Sequence, residues 1–579
     1  MLSILLHHHQ PDYRDPRTGE PVLPYVRLHA TRGYRDVATA IRMTGAQVTV
    51  NLVPSLIDQW EHYANGGTDA ALRVCEMPAD AVDPALVGGL LTMNPRWYQW
   101  YPAIGRLRAG RLDVAGVRDA QVWANLAWFG WSALRTWPEL HALRAKAQGY
   151  TEAEKQHVLG IQRTILGELA ALHRGLPEVS SSPYFHPILP LLVDTLHAQR
   201  CLAVPDPGFR APEDALAQLR EGRARTSAYC ATDVTGLWPS EGSVSPEVIT
   251  LAAEAGFRWF ATDEGVLARS ERSAGGHHGS WQVGPLRGVF RDHGLSDRIG
   301  FVYADWDGVE AANDLWHRVG RRPTLLALDG ENPWESYRDA GEAFVLRLFS
   351  HRLHTVGEMA SRAPVGQVHH LHTGSWVGAN FAIWIGHEED RVAWRLLARA
   401  RAAWVAAGSP EAGRASLFAA EGSDWFWWYG DDFHTPMAAI FDGLFRSHLA
   451  AVWRSTGQEP PADLSVPIKG PPTGTPALGP WTDGDDWYAW QRRGRVVLAQ
   501  GAMAQVGRAR QLEYGPVGEG WRLRLVPPQA GWTADGAPFV DGLVDVANAS
   551  VVLRNPEGEV VMLTLQRGGS DAGADTTVL

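Results

Sequence analysis

Three short segments combine carboxylates with tryptophan in a way that suits chemistry on a bulky, uncharged substrate. Gly236-Leu237-Trp238-Pro239-Ser240-Glu241 carries the first carboxylate, and Leu328-Asp329-Gly330-Glu331-Asn332-Pro333-Trp334 carries two more. Ser423-Asp424-Trp425-Phe426-Trp427-Trp428-Tyr429-Gly430 sets another inside an aromatic run. Near the start, an apolar run ends in His7-His8-His9-Gln10-Pro11-Asp12. Taken singly, each has an ordinary explanation. A Glu after Pro-Ser suits the first turn of a helix, an Asp-Gly pair is usually a turn, and a run of aromatics is usually core. Together they point elsewhere. Paired carboxylates do acid–base or nucleophilic work, and aromatic faces stack on the apolar faces of sugar rings.

Composition narrows the field. The 579 residues exceed one ordinary core, so two or three domains are expected. The formal net charge of -11 argues against nucleic acid or an anionic membrane as partner and suits a neutral substrate. Tryptophan, at 26 residues, is the outlier. Its bland reading is core packing, and its clustering beside carboxylates favours stacking on substrate. The cysteines Cys75, Cys201 and Cys230 are odd in number and far apart, which supports neither a disulfide framework nor a zinc ribbon. Met1–Leu6 is too short and lacks the basic residues of a signal peptide, and no apolar run is long enough for a membrane span. A cytoplasmic protein is the expectation.

Elements must position these groups. Leu2–Leu6, Val48–Val53, Trp259–Thr262, Phe301–Tyr303 and Thr324–Leu328 read as buried parallel strands. Between them lie helical patterns such as Glu152–Leu172, with Val158, Ile161, Ile165, Leu169 and Leu172 at helical spacing. Such alternation predicts an α/β barrel or sheet, with the chemistry at the strand ends. Residues 341–456 read as mostly helical, Asp390–Val405 among them, and 457–480 as a Pro/Gly-rich linker. From 481 to 579 strand signals predominate: Trp521–Leu525 alternates, and Val551–Leu553 and Val560–Leu565 flank a turn-like Asn555-Pro556-Glu557-Gly558. A β-sandwich is expected there, with Gly568–Thr577 frayed.

The segments also carry a resemblance. His9-Gln10-Pro11, Gly175-Leu176-Pro177-Glu178-Val179, Gly236–Glu241, Leu328–Glu331 and Ser423–Gly430 resemble, in this order, the five motifs of glycoside hydrolase family 57. The likeness is strongest to its amylopullulanase-like branch. Pro177 departs from the second motif, and Asp431-Asp432-Phe433-His434 departs from the pattern after the fifth. Ser182–Pro187, Thr262–Gly265, Phe290–His293, Gly374–Trp376 and Asn380–His387 are similar to the same branch.

The resemblance implies a (β/α)7 barrel over 1–340 and a helical region over 341–456 that completes the cleft. It also implies an enzyme acting on α-glucans or maltooligosaccharides with neither cofactor nor metal. Glu241 would be the nucleophile and Asp329 the general acid/base of a retaining glycosidase. A 4-α-glucanotransferase or branching-type transglycosylase would use the same pair. His9, Glu178, His186, Glu331 and Asp424 would bind the sugar, and Trp238, Trp334, Trp376 and Trp427 would form its walls. Aromatic neighbours would hinder ionisation of Asp329. Two rivals fare worse. A metal-dependent deacetylase or mannosidase would need His7, His8, His9 and Asp12 as ligands, yet neighbouring strand residues face opposite ways. A non-catalytic glucan-binding protein would have no use for an intact carboxylate pair.

Overall fold

The computed structural model describes residues 1–90, 101, 112–276, 278–337, 339–430, 432, 433, 435 and 437–469, and the strands between 494 and 578. The chain divides into two units, Met1–Trp428 with Met437–Ile468, and Tyr429–Pro436 with Lys469–Leu579.

Seven parallel strands close on themselves in the first unit: β1 (Leu2–His8), β2 (Thr49–Leu52), β3 (Glu178–Ser181), β4 (Gly236–Leu237), β5 (Trp259–Asp263), β6 (Leu286–Arg291) and β7 (Thr324–Asp329). Each pairs with the next, and β7 returns to β1. The expected (β/α)7 barrel is therefore present. Its strands are buried on both faces, which is why they read as apolar runs without alternation. The registers align the carboxyl ends: His7 lies opposite both Asn51 and Asp329, Asn51 opposite Ser180, and Asp263 opposite Arg291.

The helices cover the barrel. Glu152–His173 begins with a capping box between Thr151 and Glu154 and buries Val158, Ile161, Ile165 and Leu169. The helix after β1 runs Tyr25–His29 and Arg35–Thr44, with a π turn at Ala30–Tyr34 between them. That turn presses onto the β7 end. A Cβ on Gly33 would lie 2.8 Å from the Glu331 Cα, and one on Gly330 would lie 2.0 Å from the His8 Cδ2. Both positions need glycine for close approach.

One predicted strand is not a strand. Phe301 ends the helix His293–Phe301, and Tyr303–Asp305 forms a 3-10 turn. Asp292 caps that helix, and Leu295, Ser296 and Ile299 form its buried face. A run as short as Phe301–Tyr303 does not distinguish the two periods. Residues 341–456 contain Glu342–Phe349, Glu388–Ala406, Glu411–Ala420 and Ala438–Ser455 as their longer helices. No helix among the described residues is long and apolar enough to cross a membrane.

In the second unit, Gly494–Val497, Gln511–Val517, Gly520–Val526 and Asp541–Val544 form one antiparallel sheet. Thr533–Ala534, Ala537–Pro538, Ala549–Arg554, Val560–Gly568 and Asp571–Val578 form another. The terminus expected to fray instead pairs, Asp571–Val578 against Val560–Gly568. The expected turn at 555–558, residues 470–480 of the linker, Asp431 and His434 lie outside the described residues.

Candidate active site

Glu241 stands just past β4 in an unusual backbone conformation, φ 55° and ψ 27°. For a residue with a Cβ this left-handed region costs on the order of 1–3 kcal/mol. The surroundings hold it there. Gly242 N–H donates to the Pro239 carbonyl at 2.8 Å, and Trp376 N–H donates to the Glu241 carbonyl at 2.9 Å. The Trp376 indole N–H donates to Glu241 Oε2, also at 2.9 Å. A reciprocal backbone pair between Val244 and Gly374 ties the two loops together. Trp376 thus grips the Glu241 residue at backbone and carboxyl alike.

Asp329 is the last residue of β7 and lies opposite His7. Its charge reaches Glu241. Burial, then the Asp329 charge, push the Glu241 carboxyl up from 4.5 to about 8, against the Trp376 hydrogen bond. A carboxyl raised this far keeps its proton at neutral pH. The sequence placed hindered ionisation at Asp329; the structure sets a strong case of it at Glu241. Glu331 is buried, accepts from Gln10 Nε2 at 3.0 Å, and is held well above the usual carboxyl range by burial and then by Asp329.

The imidazoles gather at the end of β1, the strand next to β7. Strand alternation puts His7 and His9 on one face of β1, stacked at 5.6 Å, while His8 turns outward to Tyr34 and His173. His9 Nε2 lies 2.8 Å from Asp424 Oδ1. His186, itself at φ 59°, stacks on His9 with ring centroids 3.9 Å apart. Burial, then His9, hold His7 down at about 3, and burial drives His186 well below its usual value, so both are neutral. Neutrality fixes a donor chain. Asn51 Nδ2 donates to Ser180, so Asn51 Oδ1 accepts from His7 Nδ1–H at 2.6 Å. His7 Nε2 accepts from His186 Nε2–H at 3.1 Å, and His186 Nδ1 accepts from Ser423 at 3.0 Å.

His9, His186 and Asp424 bring ligand atoms within 4.8 Å of one another. A metal binds imidazole in the ring plane. Rings stacked at 3.9 Å with only 25° between their planes cannot both point at one ion unless one of them turns. The present arrangement suits hydroxyl groups better.

Contacts join Glu241 to Trp376 and His9 to His186 and Asp424, and the charge of Asp329 acts on both Glu241 and Glu331. It does not bring Glu178. That residue begins β3, level with Thr49 rather than with Asn51. Its Oε2 accepts from Thr49 Oγ1 at 2.6 Å and from Gly357 N–H at 2.9 Å, which pins it toward the amino end of the barrel. A sugar contact from Glu178 is thereby excluded in this arrangement. Two of the expected walls are also core. Trp238 is fully buried among Leu5, Ala261, Val289 and Ala327. Trp334 is buried, with its N–H on the Gly330 carbonyl at 2.9 Å. Trp376 and Trp427 keep exposed edges. The sequence reading missed Asn51, Ser423 and Arg291. Asn51 had left a signal, a lone amide in an otherwise apolar strand.

A closed parallel barrel with carboxyls coupled across its carboxyl end is built for acid–base chemistry on a substrate lying over the strand ends. The sequence profile described as Glycosyl hydrolase family 57 matches residues 3–371, and the chain belongs to that family. No curated protein matches it in sequence. Among solved structures, a GH57-type branching enzyme from Pyrococcus horikoshii is similar at TM-score 0.50 and 13% identity, over 81% of this chain and 93% of that one. An α-amylase from Thermotoga maritima aligns at TM-score 0.49 and 12% identity, over 79% and 92%. A 4-α-glucanotransferase from Thermococcus litoralis aligns at 0.47 and 11%, over 99% and 84%. At these identities the likeness is one of fold.

Proposed function

We propose that the chain is a retaining glycosidase acting on α-glucans, with Glu241 as nucleophile and Asp329 as general acid/base. The observation that carries this reading is the coupling of the two carboxyls, one on a strained backbone gripped by Trp376. The substrate class rests on the five family motifs and accords with the branching enzyme among the fold relatives.

In the first step, ionised Glu241 attacks the anomeric carbon while Asp329 passes a proton to the departing glycosidic oxygen. The bond from carbon to that oxygen breaks and an ester to Glu241 forms. In the second, Asp329 takes a proton from water, whose oxygen displaces Glu241. The free site places a proton on Glu241, so substrate binding has to transfer it within the pair to Asp329. That transfer leaves the net charge of the pair unchanged, and the Trp376 N–H favours the ionised form of Glu241.

If a sugar hydroxyl replaces water in the second step, the same ester gives transglycosylation. Products from maltooligosaccharides, glycogen and pullulan separate the two outcomes. Net release of reducing ends supports hydrolysis of α-1,4 or α-1,6 bonds, and longer or branched products without it support transfer. Absence of any change in all three glucans contradicts the reading.

A further inference from the structure

Arg291 ends β6 and is buried, yet it belongs to neither catalytic carboxyl. Each of its three nitrogens has a partner in the guanidinium plane. Nε donates to Asp263 Oδ2 at 2.7 Å, and Nη1 to the Ala327 carbonyl at 3.1 Å, two residues before Asp329. Nη2 lies 3.0 Å from His293 Nδ1 and 3.4 Å from Asp297 Oδ1. These bonds fix the guanidinium plane and leave its face free. The guanidinium carbon lies 4.8 Å from the centre of the Trp376 ring, within cation–π range. Trp238 meets the same indole nearly edge-on, at 5.3 Å and 75°. The half-buried Trp376 ring is therefore fixed by an indole and by Arg291, with its N–H aimed at Glu241.

We propose that Arg291 is a positioning residue for the glycosyl-transfer step, acting through Trp376 to hold the Glu241 carboxyl in line. The proposal rests on Glu241 being the nucleophile. Asp263 serves it as the anchor. Burial works against the Asp263 charge, but Arg291 and His293 outweigh it, and its carboxyl stays below the usual range. Burial and the charge of Arg291 work against the His293 proton, but hydrogen bonds to Asp263 and Asp297 outweigh them and hold it up to about 10. Arg291 also places a positive charge near Asp329. Lysine could keep that charge but not the planar fork that reaches Asp263 and Ala327 while presenting a face to Trp376.

The test is a double-mutant cycle of Arg291→Lys and Trp376→Phe in the full chain, assayed on an activated aryl maltooligoside. Misplacing a reacting group costs roughly a hundredfold, so Arg291→Lys lowers kcat by about that factor with KM nearly unchanged. In the Trp376→Phe background the same change costs about threefold or less, because the intermediary is already gone. Arg291→Gln additionally removes the charge and moves the acid limb of the kcat/KM profile to higher pH, which a merely structural role would not do. Equal losses in both backgrounds overturn the proposal. Should the Arg291 variants not fold, Asp263→Asn loosens the same guanidinium and must show the same dependence on Trp376. Glu241→Ala is measured alongside. Normal turnover there withdraws the nucleophile and this proposal with it, whereas lost turnover combined with additive effects overturns this proposal alone.

Discussion

His9 and Asp424, 415 positions apart in the chain, meet through a 2.8 Å bond between Nε2 and Oδ1. The bond joins the end of β1 to the helical region after the barrel, and Ser423 N–H reinforces it by donating to the His186 carbonyl at 2.9 Å. Charge-assisted bonds of this kind are worth about 1.5–3 kcal/mol, so Asp424→Asn should lower kcat/KM roughly ten- to a hundredfold. His9→Ala should do the same, and the double variant should be little worse than either. Losses that multiply would show that the two side chains serve different contacts.

The Glu241 carboxyl makes a stability prediction with a definite sign. Its value rises from 4.5 unfolded to about 8 folded, through burial first and the Asp329 charge second. Between those limits the folded chain holds a proton that the unfolded chain has released, so this group's contribution to stability falls as pH rises. Glu241→Gln removes the titration. Its Tm should exceed that of the parent by a few degrees at pH 8, and the gap should shrink toward zero near pH 4.5. Thermal melts across that range decide it; a gap that stays flat or grows toward acid contradicts the burial argument.

Much of this was legible in the chain. Four of the five apolar runs fell on barrel strands, and three of them lead into His7, Asp263 and Asp329 at the barrel mouth. The two-residue β4 was too short to announce itself, so Glu241 was found by its motif rather than by its strand. Register was not legible. A shift of two residues along β3 separates a site residue from one at the far end, and Glu178 fell on the wrong side of it. Nor could the sequence say which indoles are buried. Trp238 and Trp334 read like Trp376, but only packing divides floor from wall.

Glu178 therefore gives a clean contrast. Glu178→Gln should leave kcat and KM within about twofold while lowering stability by about 1 kcal/mol, the net worth of a hydrogen bond. Steady-state kinetics with a denaturant melt test both halves. A large rise in KM at unchanged stability would restore Glu178 to the sugar site.

The most direct test of the catalytic assignment is to trap the covalent intermediate. A fluorinated α-glucosyl fluoride, which forms the ester faster than it is hydrolysed, is incubated with the intact chain, and the digested protein is mapped by mass spectrometry. The assignment predicts one added sugar, on the peptide containing Glu241 and on that carboxyl, with turnover restored as the label is lost. A sugar on Asp329, Glu331 or any other residue would contradict it, as would failure to label alongside turnover that inverts the anomeric configuration.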